Sequence, residues 1–322
     1  MGKSVYIVMA VHNGQRYLAE QLDSLLAQTF CDWTLLVRDD GSTDGSFEIM
    51  ADYIEKHPQI EVLQDKLGNL GAKTCFSVLL LEALNRNADY VACCDQDDVW
   101  LPGKLQNALE VMLGLERSRS SKTPFLVHTD LQVVNASLKL LNNSFMRFSG
   151  IRQTEDVPLC RLLVQNHVVG CTMLVNRTLL EVALPVPEHA RMHDWWLALC
   201  ARSSGSLCFI DSAEIKYRQH SDNTLGATGF MLAFHFMSRA WRDKWRKWQS
   251  LQPVILSQIR EVCEWAEQNE VADANGLTWR ELRRVYDKQG LVALGCAWRA
   301  GLQGQRLPVT VLFYVMFLFR KN

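Results

Sequence analysis

The stretch Tyr90-Val91-Ala92-Cys93-Cys94-Asp95-Gln96-Asp97-Asp98 carries an apolar run directly into four polar residues, with no turn between them. In a buried strand the side chains alternate between faces, so Asp95 and Asp97 would leave the strand on the same side. Neighbouring carboxylates repel each other unless a cation lies between them, and Mg²⁺ or Mn²⁺ prefers such oxygen ligands. The same residues also allow a plain acidic turn, with Asp98 near the cap of a helix that starts around Pro102.

The first hundred residues alternate between strand-like and helix-like patterns. Helical periodicity is clear from Tyr17 to Gln28, where four leucines share one face. Strand-like runs lie at 5–11, 33–38, 60–64 and 90–94. This alternation predicts an α/β fold with a Rossmann-like, mostly parallel sheet, right-handed crossovers and a ligand crevice at the carboxyl ends of the strands.

Polar clusters follow three of the four predicted strands. His12-Asn13 follows the first strand, Asp39 to Asp44 the second, and Asp95 to Asp98 the fourth. Because parallel strands present their carboxyl ends at one edge, we expect these loops to converge on one site. No G-x-G-x-x-G motif follows the first strand, which disfavours a dinucleotide-binding dehydrogenase.

Composition is typical of a catalytic protein with a substantial core. The chain has 322 residues, of which 48% are hydrophobic, and a net charge of −1. Ten cysteines without a C-x-x-C pair favour reduced thiols in a cytosol. The first apolar run ends too soon, at His12-Asn13-Gly14, for a signal peptide. The net charge identifies no partner, and we expect no nucleic-acid partner.

Four motifs, in their order along the chain, carry a family resemblance. They are Ala10-Val11-His12-Asn13-Gly14, Asp39-Asp40-Gly41-Ser42-Thr43-Asp44, Asp95-Gln96-Asp97-Asp98-Val99-Trp100 and His193-Asp194-Trp195-Trp196. The combination resembles a family 2 glycosyltransferase of the GT-A fold, and within that family the bacterial rhamnosyltransferase-like branch. The resemblance covers roughly residues 4 to 226.

The resemblance implies a role for each motif. Asp194 would be the catalytic base, and Asp95, Asp97 and His220 would hold Mn²⁺ or Mg²⁺ against the donor diphosphate. The donor side would comprise Val11, Asn13, Asp39, Asp40, Asp95 and Gln96. The acceptor side would comprise Gly170, Cys171, Trp195 and Trp196. Residue chemistry agrees, since a carboxylate suits proton removal from an acceptor hydroxyl and the tryptophans can stack on a sugar. Alternatively, Asp194 caps a helix from Trp195 to Ala201 and both tryptophans belong to the core.

The expected reaction follows from that assignment. A sugar, with rhamnose favoured, would pass from dTDP-rhamnose or a UDP-sugar to a lipid-linked surface glycan. A single base without an evident second carboxylate favours inversion of the anomeric carbon. The alternatives are a nucleotidyltransferase and a catalytically inactive sugar-nucleotide-binding protein. We expect a GT-A domain over 1–228, with a donor half (about 1–100) and an acceptor half (about 101–228), and a helical extension over 229–322.

The extension contains two segments with membrane character. Trp241, Trp245 and Trp248 recur on one helical stripe beside several cations, and the apolar run 307–319 is too short to span a bilayer. Each segment could lie in a membrane interface or pack on the protein itself. We expect a cytoplasmic protein that is peripheral on the inner face of the cell membrane and contacts the membrane surface through its C-terminal segment.

Overall fold

A central sheet with helices on both faces forms the body of the protein. The computed structural model describes residues 3–151, 157–220, 241–273, 277–304 and 307–318. Within these residues the strands are β1 (Val5–Val11), β2 (Trp33–Asp39), β3 (Ile60–Val62), β4 (Tyr90–Cys94), β5 (Val99–Trp100), β6 (Phe125–Asn135), β7 (Leu140–Asn142), β8 (Leu174–Asn176) and β9 (Ser206–Gln219). Their order across the sheet is β3-β2-β1-β4-β8-β6-β9-β5, with β7 beside β6.

Short helices connect the strands, and longer ones follow the sheet. The catalytic part contains α1 (Leu18–Leu26), α2 (Ser46–Lys56), α3 (Gly71–Asn85), α4 (Lys104–Ser118), α5 (Phe145–Ser149), α6 (Leu159–Leu162), α7 (Arg177–Ala183) and α8 (His193–Ser204). The extension contains α9 (Trp241–Gln268), α10 (Trp279–Asp287), α11 (Gly290–Arg299) and α12 (Leu307–Leu318).

The predicted α/β fold is confirmed. The strands β1 to β4 pair in parallel, as their apolar runs indicate, and all five residues of β4 are buried. The second half departs from that pattern because β8 pairs antiparallel with both β4 and β6, and β5 pairs antiparallel with β9. The helix expected near Pro102 begins at Lys104.

The extension packs on the catalytic part. Trp265 of α9 meets Trp196 of α8 edge to face, with ring centroids 6.1 Å apart, and its indole N–H donates to the carbonyl of Val182 over 2.6 Å. One apolar core contains buried side chains of α3, α7 and α8 together with side chains of α9 to α12. The described part of α9 therefore packs on α7 and α8, whereas the tryptophan stripe to which the two alternatives apply lies outside the described side chains.

The C-terminal apolar run forms helix α12, and one of its faces is internal. Phe313 and Phe317 are buried in the shared core, and Val309 is buried beside them. These three side chains are not available to lipid. The side chains of Trp241, Trp245 and Trp248, the cations around them, and residues 319–322 lie outside the described structure. Among the described residues, no helix combines the length and apolarity that crossing a membrane requires.

Candidate active site

The carboxyl ends of β1, β2 and β4 bring the predicted loops together. Val11 lies opposite Asp39 in the parallel register of β1 and β2, and Met9 lies opposite Cys94 in that of β1 and β4. Asp95 is thus the first residue beyond a central strand. The expected convergence of three loops at one edge of the sheet is present.

Gln96 fastens the acidic loop to the loop after β1. Its side-chain oxygen accepts from the backbone N–H of His12 over 2.9 Å, and its amide nitrogen donates to the carbonyl of His12 over 3.0 Å. A Cβ at Gly14 would lie 2.5 Å from the same Gln96 oxygen, so a larger residue there would require the Gln96 side chain to shift. Both polar atoms of the Gln96 side chain are thus engaged with the backbone of His12.

Asn13 joins the first loop to the second. It adopts a left-handed backbone conformation with φ of 50°, which asparagine tolerates better than most residues. Its N–H donates to the hydroxyl of Ser42 over 2.9 Å, and its side-chain oxygen accepts from the N–H of Thr43 over 2.8 Å. The carbonyl of Val11 accepts from the N–H of Asp40 over 2.7 Å. The backbone of this edge is therefore rigidly braced.

Asp39 and Asp40 differ in how far their carboxylates are engaged. Asp40 is buried, accepts from Arg38, and accepts from the N–H groups of Leu70 and Gly71 over 2.8 Å each. A carboxylate offers about four acceptor positions, so Asp40 retains one. Asp39 is half-buried and accepts only weakly from the N–H of Ser42, at 3.2 and 3.3 Å. Asp39 is therefore the more available of the two for a nucleotide.

Asp97 and His220 lie together beside Asp95. The imidazole Nε2 of His220 is 2.7 Å from Asp97 Oδ2. Arg218 holds the backbone of Asp97, because its Nε donates to the carbonyl of Asp97 over 2.7 Å. Burial, with Asp97 and Asp194 nearby, raises the pKa of Asp95 to about 7. His220 is thus in direct contact with Asp97, and Asp95 lies within electrostatic reach of Asp97.

A second acidic grouping lies deeper. One ligand atom each from Asp95, Asp98 and Cys171 fall within 4.8 Å of one another. Asp98 and Cys171 are fully buried, and burial with the neighbouring carboxylates raises the pKa of both groups well above their usual values. The thiol stays protonated and hydrogen-bonds to the carboxylates. Hard cations prefer oxygen to sulfur, so this interior grouping is the poorer metal site.

Asp95, Asp97 and His220 are the ligand types that a hard divalent cation accepts, but within the described residues they do not bring three ligand atoms as close together as Asp95, Asp98 and Cys171 do. Asp95 and Asp97 supply two carboxylates whose mutual repulsion a cation would relieve, and His220 supplies an imidazole nitrogen. Asp98 takes no part in capping α4. Its Oδ1 instead accepts from the N–H of Arg218 over 3.0 Å, which ties the acidic loop to β9.

Asp194 lies in the first turn of α8, which begins at His193 with Met192 as the N-cap residue. The expectation that Asp194 caps this helix is therefore wrong. Its Oδ1 accepts from the N–H of Trp195 over 2.5 Å, and its carboxylate also accepts from the N–H of Gly170. Burial outweighs these bonds and the Arg191 charge, so the pKa of Asp194 is raised to about 7.

The acceptor-side expectations are corrected at three residues. Trp195 and Trp196 are only 4% and 1% exposed, and their indole N–H groups donate to the carbonyls of Leu162 and Ala183. Neither ring offers a face to a sugar, because both are committed to the core. Cys171 is buried beneath the acidic loop rather than facing an acceptor. Gly170 does border Asp194, and a Cβ there would lie 3.1 Å from His193 Nε2.

Two functional cations were missed from the sequence. Arg218 fixes the acidic loop, and Arg191 lies within electrostatic reach of Asp194 with its guanidinium 5.9 Å from the Trp195 ring. Arg191 lies two residues before the His193-Asp194 motif, so its proximity to Asp194 was a usable signal. The contacts of Arg218 were not predictable from local sequence, because they join segments about 120 residues apart.

Comparison with known protein sequences shows what this chain is similar to. Residues 6–118 match the model of Glycosyl transferase family 2. The dTDP-rhamnosyl transferase RfbG of Shigella flexneri is 25% identical over 249 residues, covering 74% of this chain and 80% of the relative. The UDP-Glc:alpha-D-GlcNAc-diphosphoundecaprenol beta-1,3-glucosyltransferase WfgD of Escherichia coli is 25% identical over 196 residues, covering 61% of this chain and 69% of the relative.

Solved structures share the fold. TarS 1–349 of S. aureus in complex with UDP-GlcNAc has a TM-score of 0.56 at 16% identity, covering 88% of this chain and 71% of that one. The mannosyltransferase PcManGT of Pyrobaculum calidifontis, in complex with GDP-Man and Mn²⁺, has a TM-score of 0.52 at 14% identity, covering 99% and 88%.

The mixed sheet, the acidic loop at its edge and these matches define a GT-A glycosyltransferase. Residues 6–118 match Glycosyl transferase family 2, in agreement with the family resemblance that the four motifs carry. The nucleotidyltransferase alternative is thereby set aside.

Proposed function

We propose that this enzyme transfers a sugar, with rhamnose favoured, from a dTDP- or UDP-linked donor to a lipid-linked glycan, by metal-dependent inverting displacement. The observation that carries the proposal is the proximity of a buried carboxylate, Asp194, to the acidic loop. Asp194 lies close enough to Asp95 for its charge to contribute to the raised pKa of Asp95, and its carboxylate accepts from the N–H of Gly170, next to Cys171 beneath that loop. A displacement reaction requires that arrangement, because the acceptor must reach the anomeric carbon while the diphosphate departs.

The relatives support the choice of substrates. The printed name of the Shigella flexneri relative specifies a dTDP-rhamnosyl donor, and that of the Escherichia coli relative specifies a diphosphoundecaprenol acceptor. The archaeal structural neighbour was solved with Mn²⁺. We assign the same classes of donor, acceptor and metal to this chain.

Asp194 acts as the base in this proposal. Its raised pKa makes the ionised carboxylate a stronger proton acceptor than an exposed aspartate, and the N–H groups of Gly170 and Trp195 fix its orientation. One oxygen would take the proton of the acceptor hydroxyl as that hydroxyl attacks. The half-buried Arg191 limits the rise of the pKa, so that Asp194 is still ionised in a useful fraction at neutral pH.

Asp95, Asp97 and His220 would hold the cation. A bound Mn²⁺ or Mg²⁺ supplies positive charge against the leaving diphosphate. Asp39, Asn13 and the remaining acceptor position of Asp40 would contact the nucleotide. Gln96 and Arg218 keep this loop in place through the backbone bonds already described.

The donor and the stereochemistry are tested together. Purified enzyme is incubated with dTDP-rhamnose and common UDP-sugars, with and without Mn²⁺, and the product is examined by NMR. We expect Mn²⁺-dependent turnover of one donor and an inverted anomeric configuration, because a single base favours direct displacement. Retention of configuration would refute the mechanism, and turnover of none of these donors would refute the donor assignment.

We also propose that the enzyme is peripheral on the inner face of the cell membrane. Helices α11 and α12 adjoin, with the Trp298 and Tyr314 rings 6.0 Å apart, and both expose large apolar side chains, which together we call the apolar patch. Its members are Leu291, Val292, Trp298, Leu307 and Val311, with Trp298 73% and Leu307 75% exposed. Aromatic and aliphatic side chains in this setting favour a bilayer interface.

This patch yields a vesicle-binding prediction. The triple substitution Leu291→Ser, Val292→Ser and Trp298→Ser is expected to weaken sedimentation with anionic vesicles by roughly tenfold or more, since three partly inserted apolar side chains are lost. Leu81→Ser on the outer face of α3 is the matched control, because Leu81 is also exposed but lies outside the patch. Wild-type protein that ignores vesicles, or a triple variant that binds as well, would contradict the assignment.

A further inference from the structure

The segment from Glu188 to Met192 leads directly into α8 and so places Asp194. Two side chains from distant parts of the chain hold its backbone. Lys73 Nζ donates to the carbonyl of Glu188 and, over 3.1 Å, to the carbonyl of Ala190. On the other side, the N–H of Arg191 donates to the side-chain oxygen of Gln258 over 3.1 Å.

Lys73 connects this segment to the donor side of the site. It lies in the first turn of α3, and the Asp40 carboxylate accepts from the N–H groups of Leu70 and Gly71 at the start of that helix. The ammonium of Lys73 therefore extends from a helix whose beginning is bound to a residue of the nucleotide edge. Movement at Asp40 would be transmitted along α3 to the carbonyl groups just before the base.

Gln258 connects the same segment to the extension. It lies in α9, is 0% exposed, and packs among side chains of the shared core. Burying the Gln258 amide with one hydrogen bond to a loop N–H costs desolvation free energy that an apolar side chain would not. We therefore expect that Gln258 is present to fix the position of the loop and not only to stabilise the fold.

From these contacts we infer that Lys73 and Gln258 are positioning residues for Asp194, acting from the donor half and from the C-terminal extension. The inference rests on the proposed role of Asp194 as the base. Displacement of a reacting group by about 1 Å can cost 10²-fold in rate, so loss of either contact has a kinetic effect beyond its effect on folding. The extension then has a role besides the proposed membrane attachment, because Gln258 helps to hold the segment from Glu188 to Met192 that precedes Asp194.

The test uses full-length Lys73→Met and Gln258→Met, which keep side-chain size and remove the polar contact. We expect kcat to fall roughly tenfold in each, with donor KM changed less than twofold, because the reacting carboxylate shifts while the donor contacts remain. Lys73→Arg, which can still donate to both carbonyls, is expected to recover most of the loss. The double variant should lose less than the product of the single losses, since both residues hold one segment.

Ile259→Val is the matched control. Ile259 follows Gln258 in α9 and is buried in the same core, but its side chain forms no polar contact with the segment. Melting temperatures measured on all variants separate loss of fold from loss of position. If the Met variants remain folded and keep wild-type kcat, or if they lose no more kcat than Ile259→Val, the inference is refuted.

A last comparison separates this inference from the proposed function. An inactive Asp194→Asn enzyme alongside active Lys73→Met and Gln258→Met would refute only the positioning roles. An active Asp194→Asn enzyme would refute the base assignment itself.

Discussion

Replacing Asp97 by asparagine is expected to lower kcat by about 10²–10³-fold, as removal of one preorganised electrostatic stabiliser does in other enzymes. The amide preserves the shape of the side chain but is a poorer ligand for a hard cation than a carboxylate. The fold should persist, because the structural bond from Arg218 goes to the backbone carbonyl of Asp97 rather than to its side chain. Turnover at graded Mn²⁺ concentrations and Mn²⁺-dependent donor binding by calorimetry are the measurements.

Two further variants calibrate that result. His220→Ala is expected to cost roughly 10–100-fold in metal affinity, because it removes one nitrogen and the partner of Asp97. Asp52→Asn is the control, since Asp52 is an exposed aspartate of α2 whose carboxylate pairs with Lys56 and lies outside the site. Wild-type activity in excess chelator, or full activity of Asp97→Asn, would contradict the metal assignment.

The second large effect is expected at Asp194. Asp194→Asn removes the proposed base and should reduce kcat by about 10²–10⁴-fold. Donor affinity should change little, because the residue is required when the acceptor hydroxyl attacks. Product formation and donor binding are measured on the same preparations, with Asp211→Asn on the exposed edge of β9 as the control. Equal losses in both quantities would show that Asp194 serves donor binding instead.

The pH dependence of kcat provides an independent check on Asp194. Its pKa is raised to about 7, so the carboxylate accepts the substrate proton above that pH and is itself protonated below it. Activity should therefore fall as the pH drops through about 7. The sign for stability is opposite. The folded protein retains this proton where the unfolded chain releases it, so stability falls as the pH rises from about 4 to 7.

The pattern of residues within single segments was sufficient to predict the parallel strands of the sheet. It was insufficient to predict how the strands of the second half of the sheet pair. The runs that became β1 and β4 are apolar throughout, and β2 is mostly apolar up to Val37, so burial on both faces could be predicted from them directly. The insertion of β8 between β4 and β6, in antiparallel pairing, depends on contacts between residues more than forty-five positions apart. No periodicity within one segment encodes that choice.

The candidate site also contains residues that the local sequence pattern could predict and residues that it could not. Asp95, Asp97 and Asp194 could be proposed from the sequence because the expected chemistry requires carboxylates and the motifs contain them. Trp195 and Trp196 were misassigned because an indole beside a catalytic aspartate looks the same in sequence whether it faces a sugar or the core. Their burial depends on contacts with other elements: the carbonyl of Leu162 accepts from the Trp195 indole, and the ring of Trp265 packs against Trp196.

The core shared between the catalytic part and the extension has a consequence for how the molecule can be divided. Each fully buried side chain such as Ile259, Phe313 or Trp265 contributes about 1.5–3 kcal/mol, and a few of them equal the whole net stability of an ordinary domain, about 5–15 kcal/mol. Melting of α9 to α12 would thus leave α7 and α8 without their apolar partner surface. The chain should therefore unfold in one cooperative transition. We also expect that the extension could not be replaced by the C-terminal segment of another protein without loss of the shared core.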